Sequence, residues 1–311
     1  MKIALNVAYR RVPAVLPYPL RRSKTNSGRP HRSQLGGAGV AWRFQIPSVA
    51  ALRHRVSRGI SAARAPANGG DDTHIWIDER IIGRSSSVRE FYEAYFSSGK
   101  EKRLIQVGAN DGIMCDPLRR FLVESRDQNI AAVLIEPLPY YYERLCHLYR
   151  DYPNITVVNV ACGGSRGRAP LYFIEPAIAD RMNGDGPANN WAHGQGSFDP
   201  DVIRYWIERN RFRGEDYISN IDTFIRSITF VDVDVVTLSE IAMSRENDNL
   251  LVVIDVQGFE LDVIRGIDWD YPPAYIVLED DLNKAGPIGD YLAVRGYYYL
   301  CGRNDKLYVH R

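Results

Sequence analysis

Three carboxylates and one histidine occupy positions where the surrounding sequence could put them to chemical use. Asp255 follows the apolar run Leu250–Ile254, and Glu279 follows Ala274–Leu278. A carboxylate that emerges partly buried from a dry strand has a raised pKa and is a better general base. Two other uses are open to these acids. Asp255 could cap the turn before the next helix, or Asp255, Glu279 and Asp280 could hold Mg²⁺ through oxygen. Glu136 ends a third apolar run, 28 residues after Gly108. At such a strand end it could accept hydrogen bonds from both hydroxyls of a ribose. His193 lies in a segment rich in glycine and asparagine, where it could close over a substrate or simply be solvated.

These groups need a turn to work beside, and LIQVGANDG (104–112) supplies one. A dinucleotide fingerprint GxGxxG brings backbone against a pyrophosphate at a helix N-terminus. Here the spacing is Gly108-x-Asn110-x-Gly112, with asparagine second and the last glycine early. That suits a compact uncharged moiety better than two phosphates, and asparagine tolerates the left-handed conformation such a turn can require. Turn plus Glu136 indicate a nucleoside-containing ligand. NAD satisfies the same pattern, and a tight turn beside a surface glutamate needs no ligand at all.

The elements that would position these residues alternate regularly. Arg103–Val107 reads as strand, Asp116–Arg126 as helix, Ala131–Ile135 as strand, Pro139–Tyr149 as helix and Ile155–Val160 as strand, followed by a short strand Leu171–Ile174. Ser87-x-x-Glu90 is a capping-box signature ahead of an apolar helical face formed by Phe91, Tyr95 and Phe96. Residues 176 to 230 interrupt the rhythm. They read as loop-like up to Phe198, then as a helix capped by Asp199-Pro200 with Val202, Ile203, Trp206 and Ile207 on one face. Strand Leu250–Ile254, helix Phe259–Ile267, strand Ala274–Leu278 and helix Ile288–Arg295 resume the pattern, and a hairpin closes the chain. Strands alternating with helices predict an α/β fold with a mostly parallel sheet, covered on both faces, plus an antiparallel strand at the end.

Charge is unevenly spread. Residues 1–70 contain 13 Lys/Arg and no acid, whereas the remainder carries a net −12. Residues 1–80 are expected to be a basic, disordered arm or sequence upstream of the true start, in preference to a transit-like peptide, and residues 81–311 the globular domain. The arm's charge could attract nucleic acid, but aromatic interleaving is sparse, and the acidic domain argues against that partner. No apolar run approaches the roughly 20 residues of a membrane-spanning helix. Four cysteines without a CxxC pair suggest reduced thiols and a cytoplasmic location. The histidines show no metal-ligand spacing, so no transition-metal site is expected. The sequence carries no signal for oligomeric state.

The ordered series VGANDG (107–112), IEP (135–137), NVACGG (159–164), VDVVTLSEI (233–241), IDVQGFELDVIRG (254–266) and IVLED (276–280) resembles the FkbM-type methyltransferases, a Rossmann-like, class I, S-adenosylmethionine-dependent family. The resemblance covers about residues 100–311. It implies a seven-stranded sheet whose last strand is antiparallel, and methylation of a hydroxyl oxygen on a sugar or related small molecule or glycan. It also implies that Gly108, Asn110 and Asp111 line the methionine and ribose part of the cofactor, that Glu136 and the adjoining Pro137 hold the ribose, and that Ala161 and Cys162 flank the adenine. Gln106 stands where an aspartate is common, so a charged contact to the cofactor's amino group becomes a neutral one. The usual KIDVEG reads VIDVQG, with Gln257 for glutamate, which casts doubt on any mechanism needing a carboxylate there. The candidate catalytic set is therefore Asp255, Glu279 and His193. The alternatives are a nicotinamide-dependent oxidoreductase, or a binding module that has lost catalysis. Trp191, Phe198 and Trp206, with Asn189, Asn190, His193, Gln195 and Ser197, suit a polyhydroxylated acceptor.

Overall fold

The computed structural model describes residues 81, 85–124, 130–183, 191–241, 249–279 and 285–311. The expected N-terminal arm, as well as Asn189, Asn190 and Asp280, lies outside them.

The main sheet is built from mostly apolar strands of four to six residues: β1 (Lys102–Val107), β2 (Ile130–Ile135), β3 (Ile155–Val158), β8 (Leu250–Ile254) and β9 (Tyr275–Glu279). Every residue of β2 and β8 is buried. Burial on both faces is what a parallel sheet sandwiched between helices requires. The hairpin β10 (Tyr297–Gly302) and β11 (Asp305–His310) completes the order β10-β11-β9-β8-β1-β2-β3. β11 runs antiparallel to both neighbours, and the remaining pairings are parallel. The expected seven-stranded, mostly parallel sheet with an antiparallel C-terminal hairpin is the one observed. Helices α1 (Val88–Ser97), α2 (Arg119–Glu124), α3 (Pro139–Tyr149), α7 (Leu238–Ile241), α8 (Glu260–Arg265) and α9 (Ala285–Ala293) complete this part of the fold. Two apolar cores, one including Phe91, Tyr95, Leu104 and Leu134, the other Ile105, Val133, Ile254 and Ile264, surround the sheet.

The N-terminal cap of α1 is half of the expected capping box. Ser87 Oγ accepts from the Glu90 amide at 3.2 Å, but the Glu90 carboxylate accepts from the amide and hydroxyl of Ser86, one residue earlier. Among the described residues, no helix is long and apolar enough to cross a membrane.

Between β3 and β8 the chain builds a second layer that is larger and more regular than the sequence pattern suggests. β4 (Ala161–Cys162), β5 (Gly167–Ile174), β6 (Gly196–Ser197) and β7 (Ile228–Val236) form a sheet of order β4-β7-β5-β6. β5 and β7 pair antiparallel over eight residues, from Gly167↔Val235 to Ile174↔Ile228. The residues expected to be loop contain α4 (Pro176–Asn183), which buries Ala179 and Met182 on one face. α5 (Pro200–Arg209) begins at Asp199, whose side chain accepts from the Asp201 amide, with proline at the first helical position. α6 (Glu215–Arg226) packs with α4 and α5 in a core of Ile174, Met182, Ile203, Ile207, Tyr217 and Phe224. This subdomain has a core of its own and forms one wall of the site.

Candidate active site

Register aligns the acidic residues. Val107 of β1 pairs with Ile135 of β2 and Ile254 of β8, and Ile254 pairs with Leu278 of β9. The next residues, Glu136, Gly108, Asp255 and Glu279, therefore form one row along the carboxyl edge of the sheet, in the order β2-β1-β8-β9. At about 4.8 Å per strand the row spans roughly 14 Å. This is the edge where ligands enter open α/β sheets.

Glu136 and the glycine turn form one unit. The amides of Gly108 and Ala109 both donate to the Ile135 carbonyl at 3.0 Å. The Asn110 amide donates to Glu136 Oε2 at 2.9 Å, and the Leu138 amide to Oε1 at 2.8 Å. Asn159 Nδ2 donates to the carbonyls of Glu136 and Pro137, holding the strand end in place. Gly108 has φ +83°, and a Cβ there would lie 1.8 Å from the Asp255 carbonyl oxygen, so only glycine fits between the two strand ends. Asn110 adopts φ +50°. Glu136 is only 5% exposed. Desolvation pushes its pKa up to about 7, outweighing the two amide bonds, and the charges of Asp255 and Asp111 push the same way. Asp111 is fully buried and does not face the cavity. Its Oδ1 accepts from the amides of Ile113 and Met114, and its Oδ2 pairs with Arg144 at 3.2 Å.

At the other end of the row, Asp255 is exposed, not partly buried, because the dry strand ends one residue before it. The partial burial that the sequence suggests is therefore absent at Asp255. Gln257, at φ +53°, does the local work. Its Nε2 donates to Asp255 Oδ1 at 2.9 Å and to Glu279 Oε2 at 2.7 Å, bridging the two carboxylates. A glutamate at 257 would repel both. The Gln257 carbonyl accepts from Ser197 Oγ at 2.9 Å. Ser197 is buried and ties β6 to this loop; its hydroxyl is not presented to a ligand. Glu260, also buried, accepts from the Gly258 amide and so caps the turn before α8.

His193 is not a solvated loop residue. It is 8% exposed, in a 3₁₀ turn (Trp191–Gly194), between two partners. Tyr141 Oη lies 3.0 Å from Nδ1, and Asp180 Oδ1 lies 3.0 Å from Nε2. A carboxylate on Nε2 favours the tautomer protonated there, which leaves Nδ1 as an acceptor for the phenol. Tyr141 is buried in α3, and desolvation raises its pKa. Asp180, in α4, is 72% exposed. The chain thus links a buried hydroxyl in the cavity to a surface carboxylate.

These groups line one cavity of about 600 Å³, within the range of small-molecule sites. Asp255, Glu279, His193, Gln106, Gly108, Asn110, Glu136, Pro137, Ala161 and Cys162 all face it. Ala161 and Cys162 reach it from β4, where burial pushes the Cys162 thiol pKa up. Gln106 Nε2 donates to Asp116 Oδ1 at 3.3 Å. Asp116, Tyr141, Arg209 and Asp305 also line it and escape a reading of the sequence. Only Asp116 carried a local signal, the Asp-Pro step, and its Oδ1 does accept from the Leu118 amide. Buried Gln106 Oε1, Asn110 Oδ1 and Asp116 Oδ2 have no hydrogen-bond partner among the described residues. Buried acceptors left in this way are costly, and a ligand would satisfy them. No group of three or more His, Cys, Asp or Glu among the described residues is placed to hold a metal ion.

The family model described as "Methyltransferase FkbM domain" matches residues 106–299. Among solved structures, a precorrin-6y C5,15-methyltransferase from Geobacter metallireducens GS-15 is 12% identical, with 79% of this chain and 98% of that one covered and a TM-score of 0.32. A METTL16 MTase domain is 13% identical, with 85% and 80% covered and a TM-score of 0.27. No curated protein matches the chain.

Proposed function

The chain belongs to the FkbM methyltransferase domain family, and from that premise we propose that it transfers the methyl group of S-adenosylmethionine to a hydroxyl of a sugar or a related hydroxylated metabolite. Its strand order and antiparallel hairpin are those of the Rossmann-like class I methyltransferase fold. The observation that supports the reading is the row Glu136, Gly108, Asp255 and Glu279, three carboxylates and a close-approach turn along one cavity.

The residues present fit the cofactor. Glu136 would accept from the ribose hydroxyls, the unpartnered oxygens of Gln106, Asn110 and Asp116 would accept from its amino group, and Ala161 and Cys162 would pack on the adenine. Asp111 would act through the shape of the turn. When bound, the cofactor supplies an electrophilic methyl on a sulfonium.

The protein's own task is to align a hydroxyl and remove its proton. Alignment converts a bimolecular encounter into an effectively unimolecular one. A positioned base adds roughly 10²–10⁴-fold. Asp255 is the leading base: the Gln257 amide orients it, and it opens onto the cavity without competing amide bonds of the Glu136 kind. Glu279, on the same amide, is its neighbour. On the subdomain side His193 would take a proton only by way of the Tyr141 hydroxyl that its Nδ1 accepts from, with Asp180 fixing its tautomer. Trp191 and Trp206 offer ring faces for C–H surfaces of the acceptor.

The test uses S-adenosylmethionine labelled at the methyl, incubated with sugars, oligosaccharides, polyketides and RNA, alongside calorimetry with S-adenosylmethionine and NAD. Label on a hydroxyl oxygen of a small acceptor is the expected result. Binding of NAD alone, or label appearing only in RNA or protein, would overturn the reading.

A further inference from the structure

The two walls of the cavity have opposite polarity. Among the described residues, the sheet-edge wall contributes five carboxylates, Asp116, Glu136, Asp255, Glu279 and Asp305, and no lysine or arginine. Among the described residues the subdomain wall contributes Arg209 and no carboxylate. The unpartnered buried atoms divide in the same way. On the sheet side they are the oxygens of Gln106, Asn110 and Asp116; on the subdomain side they include two N–H donors, Trp191 Nε1 and Trp206 Nε1, with Gln195 Oε1 the one acceptor there.

Arg209 lies over the Trp206 ring, 5.4 Å from its centroid, and donates to the Tyr205 hydroxyl. Among the described residues no carboxylate pairs with Arg209, Arg211 or Arg213, although Arg204, on the preceding turns, pairs with Asp201 at 2.9 Å. Arg213, behind the rim, lies 5.7 Å from the Trp191 centroid and donates from Nε to Asn210 Oδ1 at 2.9 Å. Phe212, between them, is 79% exposed yet lines the cavity. A guanidinium without a carboxylate, beside unsatisfied N–H donors, matches an oxyanion and not a neutral hydroxyl.

We infer that this rim is a subsite for an acidic group, phosphate or carboxylate, carried by the acceptor away from the hydroxyl that is methylated. The inference rests on the methyl-transfer reading and adds the charge of the substrate. The opposed walls also give an orientation. The five carboxylates repel an anion, so the acidic end stays at the Arg209 rim and the uncharged hydroxyl end turns toward Asp255.

The test is calorimetric titration of the protein saturated with S-adenosylhomocysteine, using glucose, glucuronate and glucose 6-phosphate, repeated with Arg209→Ala. At least one acidic sugar should bind tenfold or more tightly than glucose, and Arg209→Ala should remove that advantage while S-adenosylhomocysteine affinity stays within twofold. Glucuronate against glucose 6-phosphate separates carboxylate from phosphate. Equal binding of neutral and acidic sugars, no binding of either acidic sugar, or an advantage that survives Arg209→Ala would overturn the subsite and leave the methyl-transfer reading standing. Failure of S-adenosylhomocysteine itself to bind would remove both.

Discussion

Cofactor affinity should depend on pH through Glu136. Its pKa in the empty protein is about 7, raised by burial from 4.5. Ribose hydroxyls donating to this side chain favour the ionised form, so binding should be tightest above pH 7 and weaken as pH falls. At pH 5.5, 1.5 units below the pKa, only about 3% of the group is ionised, which corresponds to a loss of about 30-fold, or about 2 kcal/mol. The sign for stability is opposite. Through Glu136 alone, the raised carboxyl pKa contributes its full stabilisation below pH 4.5, and that contribution falls by about 3 kcal/mol as pH rises to 7, then levels. Calorimetry with S-adenosylhomocysteine between pH 5.5 and 8.5 measures the first effect, and buffers of different ionisation enthalpy detect the proton released on binding. Glu136→Gln should bind more weakly at pH 8 and show no slope across the window. A flat profile in the wild type, or the same slope in Glu136→Gln, would refute the ribose assignment.

Four further outcomes follow from the geometry. Asp255→Asn should hold cofactor affinity within a few-fold and cut turnover by roughly 10²-fold, and Gln257→Glu should also slow turnover by placing a third acid between Asp255 and Glu279; near-wild-type rates in labelled methyl transfer would make Asp255 a structural cap. Gly108→Ala would drive a Cβ to 1.8 Å from the Asp255 carbonyl oxygen, so cofactor binding should be lost in calorimetry even where circular dichroism shows folded protein. Ile203→Ala empties a fully buried position in the subdomain core and should cost about 2–5 kcal/mol in denaturant unfolding, with unchanged stability showing that this core is not well packed.

The sheet and its functional edge were legible because their signals are local. Apolar runs define β2, β8 and β9 and a mostly apolar one, LIQV, defines β1, and a strand placed in a parallel sheet puts the residue after its last apolar position at the carboxyl edge. Gly108, Glu136, Asp255 and Glu279 could therefore be identified without coordinates, and a glycine–asparagine turn carries its backbone requirement in its own residue types. The rest depends on contacts between distant segments. The second sheet pairs Gly167 with Val235, and neither strand shows in its own neighbourhood that the other will cover it. His193 looks like a loop histidine until α4 brings Asp180 to one ring nitrogen and α3 brings Tyr141 to the other. Gln257 looks like a lost acid until β9 delivers Glu279 within reach of the same amide that holds Asp255. Asp255 looks half-buried from its sequence, yet exposure is set by what stands above the strand end, and there the cavity opens. Periodicity records which face of an element is apolar; the partner of a single polar side chain is chosen by the folded chain, because hydrogen bonds of 3 Å leave no trace in residues fifty positions away.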